Sequence, residues 1–201
     1  MTVTRLFDEQ DRRLFFNLEE RAAFLKAANR AEGKTRTFCH LLHYTGCTLS
    51  ESITVTAEQI DIPGRSIILQ GTTQRRHDIT RAIPVPDAFI DLLDEMHDIR
   101  GAQSDPASTN GRIWPHDIST MRDKLVRVIR EAGIAGGPHA MPRGIRYGFL
   151  VHAIRCGVIL SRAERWMGYS HSSDLRHYVE QLARLAPEVV GNEREDASLM
   201  W

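Results

Sequence analysis

The chain changes period once. Ser66-Ile67-Ile68-Leu69-Gln70 and Ile79-Thr80-Arg81-Ala82-Ile83-Pro84 are short runs with strand character, and the segments on both sides repeat at helical spacing. Helices, a small antiparallel sheet and then more helices make a mainly α chain with a β insert, an α+β fold. The polar link at 71–78 is long for a hairpin.

Local signals bound the helices. Asn17 with Glu20 forms a capping box that opens a helix to about Ala31, and Gly33 breaks it. A second helix covers Thr35 to Tyr44, with Gly46 as its C-cap, and Ser50–Ile53 is one further helical turn. Pro86 starts a helix from Asp87 to about Arg100, followed by a turn-rich loop over 101–111. Asp117 caps a helix through Ala132, closed by Gly133. The next runs from about Arg143 to Cys156. Ser161 with Glu164 reads as a second capping box, for a helix ending at Gly168. Ser172 or Ser173 caps a last helix carrying Tyr178.

A length of 201 residues fits one domain with arms. Residues 1–16 read as a charged arm with an apolar plug, Leu14-Phe15-Phe16, and residues 186–201 as an acidic tail ending in Leu199-Met200-Trp201. The chain carries 26 basic and 26 acidic residues. That balance argues mildly against tight nucleic-acid binding, although 112–165 holds an excess of Arg and Lys. Three scattered cysteines suit a reducing cytosol without a disulfide framework. Cys39, His40 and His43 have no second ligand pair at zinc spacing, so a buried helix explains them better than a metal does. No cofactor is indicated, and no run approaches the length needed to span a membrane. Trp114 and Trp166 read as packing residues.

Three segments together resemble the catalytic domain of the tyrosine recombinases, the phage integrases, over roughly residues 17–185. Thr45-Gly46-Cys47-Thr48-Leu49-Ser50-Glu51 is similar to the family's first box, usually Thr-Gly-x-Arg-x-Ser-Glu. Arg81-Ala82-Ile83-Pro84-Val85-Pro86 resembles the strand after the catalytic-lysine hairpin. Pro142-Arg143-Gly144-Ile145-Arg146-Tyr147 and the stretch from Arg165 to Tyr178 resemble the last two boxes. The resemblance implies attack of a tyrosine on a DNA phosphodiester. Two arginines would hold the nonbridging oxygens, a lysine would protonate the leaving oxygen, and histidines would supply further donors.

Carried over position by position, the resemblance puts the nucleophile at Tyr178 and the second arginine at Arg146. Arg143 stands three residues earlier, where the family has His or Lys. The first-box arginine falls on Thr48, the hairpin lysine on Thr72 or Thr73, and the third-box histidine on Tyr169. Arg75 and Arg76 are a candidate DNA-facing tip, but arginine's very high pKa makes it a poor proton donor in the lysine's place. Loss of one preorganised donor costs roughly 10²–10³ in rate.

The expected protein is therefore a catalytically impaired, integrase-like DNA-binding factor of a mobile element, accessory or regulatory in site-specific recombination and located in the cytoplasm. Two alternatives stay open: a divergent active recombinase cleaving through Tyr178, and a protein-interaction module without a DNA role. Double-stranded DNA is the expected partner. In the resemblance the C-terminal segment docks on a neighbouring protomer, so the tail is expected to pair with another copy or an active recombinase, or to fold back on its own domain. Few residues precede the first helix, so the family's separate N-terminal DNA-clamping domain is expected to be missing, or the chain to be a fragment.

Overall fold

The computed structural model describes residues 5–72, 79–105, 107–134, 136–169, 181 and 200–201. Thr73, Arg75, Arg76, Tyr178, the expected cap at Ser172 or Ser173 and nearly all of the acidic tail lie outside these residues. The described elements run α1 (Leu18–Ala28), α2 (Gly33–Thr45), α3 (Leu49–Ser52), β1 (Ile60–Asp61), β2 (Ser66–Gln70), β3 (Thr80–Pro84), α4 (Asp87–His97), α5 (Ile99–Ser104), α6 (Ile118–Glu131), α7 (Pro142–Arg155) and α8 (Leu160–Trp166). The strands form one antiparallel sheet in the order β1-β2-β3, with Ile67 opposite Ile83. β1, a two-residue strand, was not expected from the sequence.

The boundaries follow from local chemistry. Asn17 accepts from the Glu20 amide and Glu20 accepts from the Asn17 amide, closing the expected capping box. Gly46 ends α2 at φ +60°, a conformation suited to glycine. Two expectations are corrected. The helix from Asp87 breaks at Asp98, which adopts φ 50° and caps α5 by accepting from the Gly101 amide. That puts helix into residues expected to be loop. The Ser161–Glu164 box is not used either, because α8 begins at Leu160 behind Ile159.

The core is continuous from the arm to α8, and Phe16, Phe24, Phe38, Trp114 and Phe149 are almost wholly enclosed. Trp114 stands edge-on to Phe38, and its indole N–H donates to the Lys34 carbonyl at 2.9 Å. The Leu14-Phe15-Phe16 plug is buried as expected. Phe16 crosses α7 at two glycines: its amide donates to the Gly144 carbonyl at 2.9 Å, and a Cβ on Gly148 would stand 2.9 Å from the Phe16 carbonyl oxygen. Arg13 pairs with Glu20, and His139 contacts Glu20 at 3.0 Å, so the arm is tied to α1 and to the loop before α7. At the other end of the chain Met200 is buried, its carbonyl lies 3.1 Å from His152 Nε2, and Trp201 meets Tyr44 edge-on at 5.3 Å. The end of the tail therefore rests on its own domain.

Burial sets the acid response. It holds His40 and His97 down at about 4, with Arg36 and Lys34 respectively adding to the effect, and drives His43 well below its ordinary value. These rings are neutral in the fold but take up protons near pH 6.5 when the chain unfolds. The unfolded state then binds more protons, so stability is undiminished above 6.5 and drains away as pH falls from 6.5 toward 4. Tm followed by circular dichroism should drop across pH 6.5–5, above the range where carboxylates titrate. The drop should be shallower in His40→Gln.

Candidate active-site cavity

A cavity of 760 Å³ opens where the N-terminus of α7, the α2–α3 junction, the segment following α8 and the N-terminal arm meet. Arg143, Arg146, Tyr147, Cys47, Thr48 and Tyr169 all line it. Four positions separated widely in sequence, Thr48, Arg143, Arg146 and Tyr169, thus line one cavity. Thr72 is exposed at the end of β2 and is not among the described lining residues.

Each side chain has a definite local role. Arg146 is 8 % exposed. Its Nη1 donates to the Gly46 carbonyl at 2.7 Å and its Nη2 to the Met167 carbonyl at 2.6 Å. These bonds use two of its five N–H donors, so the guanidinium is fixed in place with donors left over. The Tyr169 ring lies 5.7 Å from the Arg146 guanidinium carbon, close enough for a cation–π contact. Arg143, one turn earlier, is exposed and reaches over the Tyr147 ring at 5.9 Å. Thr48 is the N-cap of α3: its hydroxyl accepts from the Glu51 amide at 3.2 Å, and its own amide donates to Glu51 Oε2 at 2.8 Å. A threonine here serves helix initiation, where the resemblance would place a phosphate-binding cation.

Glu51 has a second partner. Arg81 Nη2 stands 2.8 Å from Glu51 Oε1, with both side chains almost fully enclosed, and Arg81 Nε donates to the Trp166 carbonyl at 2.6 Å. Burial pushes the Glu51 carboxyl up, but Arg81, the Thr48 amide and Arg146 together outweigh it and hold the group below its usual value. The first-box acid therefore pairs with Arg81 rather than with Arg146. Sequence reading missed this pair. The available signal was parity: Arg81 shares the inward face of β3 with Ile83, and an inward cation needs a counter-charge. Cys47, between Gly46 and Thr48, is enclosed, and burial pushes its thiol to about 12, so it is not a nucleophile at neutral pH.

The arm was also unforeseen as part of this site. Arg5, Phe7, Asp8, Glu9 and Leu14 wall the cavity, and a bridge between Phe7 and Arg13 folds the arm into a tight turn. Arg12 binds Asp8 at 2.8 Å, which offsets one of the two acidic groups at the rim. No group of side chains suited to hold a metal ion occurs among the described residues.

The fold is shared with solved structures. XerA recombinase is similar at a TM-score of 0.68 and 16% identity, covering 87% of this chain and 64% of that one. XerH site-specific recombinase bound to difH substrate gives a TM-score of 0.66 at 16% identity, covering 90% of this chain and 59% of that one. The catalytic domain of bacteriophage HP1 integrase gives 0.60 at 18% identity, covering 89% of this chain and 94% of that one. The chain thus spans under two thirds of the two Xer proteins and nearly the whole of an isolated catalytic domain. No curated protein matches it. The phage integrase family model matches residues 15–184, which include every residue lining the cavity except those of the arm before Phe15. The chain belongs to the phage integrase family.

Proposed function

We propose that this chain binds duplex DNA through the Arg143–Arg146 cavity and serves site-specific recombination as an accessory or regulatory factor of a mobile element, impaired in strand cleavage. The observation that carries this reading is the exchange at Thr48. The cavity keeps a fixed guanidinium at Arg146 and an exposed one at Arg143, while the first-box position is committed to capping α3. Two arginines are enough to hold a phosphate. Stabilising a phosphorane requires more donors, and Tyr169 stands where a histidine would help. DNA-bound relatives such as XerH with difH support the choice of partner.

Retardation of duplex DNA at low salt tests the binding. Retention should weaken as salt rises, and Arg143→Ala should make the salt dependence shallower by about one phosphate contact, with little change between sequences. No retention at low salt would remove the DNA reading in favour of an interaction module. A nicked suicide substrate tests cleavage: a covalent adduct that vanishes in Tyr178→Phe would establish the active-recombinase alternative. The double variant Thr48→Arg, Tyr169→His should raise any trace adduct, at a stability cost of about 1 kcal/mol for the lost cap. Docking of the tail on a second copy or on an active recombinase belongs to the same proposal, and it would require Met200 and Trp201 to leave their seats on this domain.

A further inference from the structure

Arg21 is a buried cation that the recombinase reading does not use. It projects from α1 toward α2 and α7 and is 4 % exposed. Its Nη2 lies 3.5 Å from His43 Nε2, a weak contact with a ring kept neutral by burial. Its Nη1 has no hydrogen-bond partner, and among the described residues no carboxylate pairs with it. Among the described residues the charged or titratable groups around it are His43, Tyr44, His152, Arg155 and Cys156, none of them acidic at neutral pH. Burial alone pulls Arg21 down to about 10. A desolvated cation without a counter-charge is among the costliest arrangements a fold can keep, and an orphaned buried donor calls for a partner.

Space for a partner adjoins it. A cavity of 240 Å³ is lined by Arg21, His152, Arg155 and Cys156 on its polar side and by Phe15, Phe16 and Val151 among its apolar walls. It shares no lining residue with the Arg143–Arg146 cavity. On α7, Arg155 follows Arg146 by nine residues, which turns it about 180° to the opposite face. The two cavities are therefore separate sites on opposite sides of one helix.

We propose that this second cavity binds a small organic carboxylate, with the anionic end meeting Arg21 and the apolar body lying against Phe15, Phe16 and Val151. A carboxylate matches the planar fork of a guanidinium and brings one negative charge to one desolvated positive charge. A dianionic phosphate would carry surplus charge into an apolar enclosure. Exposed Arg155 then acts at the mouth, attracting the anion without being desolvated. The volume lies below the roughly 300–1,000 Å³ of drug-sized sites, which fits an acid with a single ring or a short chain.

Sodium benzoate is the test probe, with benzamide as its neutral counterpart and inorganic phosphate as the competing anion. Calorimetric titration of the whole chain should show saturable benzoate binding, and saturating benzoate should raise Tm by roughly 5 °C. Benzamide should do neither. Arg21→Met should abolish the benzoate shift while leaving the ligand-free Tm equal or higher, because a well-packed apolar chain replaces an uncompensated charge. Arg155→Gln should weaken binding several-fold with no change in ligand-free Tm, and it decides the matter if Arg21→Met fails to fold. The proposal is overturned if benzoate does not bind, if benzamide binds equally well, if phosphate binds in preference, or if binding survives Arg21→Met. DNA retardation does not enter this test, so its outcome stands apart from the recombinase reading.

Discussion

Gly144→Ala should unfold the domain or cost on the order of 4 kcal/mol or more, the largest loss expected of any single methyl added to this chain. A Cβ at Gly144 would stand 1.9 Å from the His139 carbonyl oxygen and 3.0 Å from the Phe16 ring. The first contact is with backbone, which has no rotamer to escape by. The loop before α7, the start of α7 and the arm would have to separate together. Ordinary overpacking costs about 1–3 kcal/mol, and larger losses mark a named structural failure of this kind. Denaturant unfolding followed by far-ultraviolet circular dichroism measures it. Gly133→Ala is a useful control: Gly133 follows the C-cap of α6 at φ +75°, and nothing lies within 4 Å of its added methyl. It should show only the smaller strain of a left-handed residue, about 1 kcal/mol. Gly144 lies inside the first turn of α7 without a positive φ, so a loss there no larger than at Gly133 would mean that crowding against His139 does not set the cost.

The second large effect is expected at Glu51. Glu51→Gln keeps the shape of the side chain and an acceptor for the Thr48 amide, but it removes the charge facing Arg81. Arg81 is 3 % exposed, and its Nη1 and Nη2 have no well-angled hydrogen bond to fall back on. Breaking one side of such a pair costs about 3–5 kcal/mol, mostly because the surviving charge stays desolvated. Arg81→Met in the same background should recover much of the loss, since it removes the stranded cation. Acid should reproduce part of the effect in the unmutated chain. Glu51 is held below its ordinary value, so its contribution is complete above about pH 4.5 and is lost as pH falls through the lower folded value. A double-mutant cycle on urea midpoints would give the coupling directly, and a coupling near zero would rule out the pair as a stabilising contact.

The sequence made legible whatever is decided within a few residues. The Asn17–Glu20 box, the Gly46 stop and the Asp117 cap are each closed by neighbours three or four positions apart, and each stands where expected. Asp98 was not legible, because an aspartate at φ 50° has no strong local signature and the break there is set by packing of two short helices. Nor was β1, whose two residues become a strand only by pairing with Ser66 and Ile67. For the site, the family spacing placed Thr48, Arg143, Arg146 and Tyr169 together, although nothing local requires it. The arm's share in the same cavity depends on how residues 5–14 cross the domain, and no periodicity encodes that route. Arg21 went unnoticed for the opposite reason. An arginine in an amphipathic helix reads as a solvated face, and only the packed arrangement of α1, α2 and α7 shows that it is not.

The tight turn at Phe7–Arg13 sets where anything joined ahead of Arg5 is delivered. Its backbone bridge and the Arg13–Glu20 pair bring the chain to the lip of the larger cavity, not to the far side of the domain. A peptide or dye tethered there by a short flexible leash is confined near Arg143 at an effective concentration of roughly millimolar. Even a weakly binding acidic tag at that end would occupy Arg143 as if it were abundant in solution. A label at the same place would serve as a proximity reporter for whatever enters.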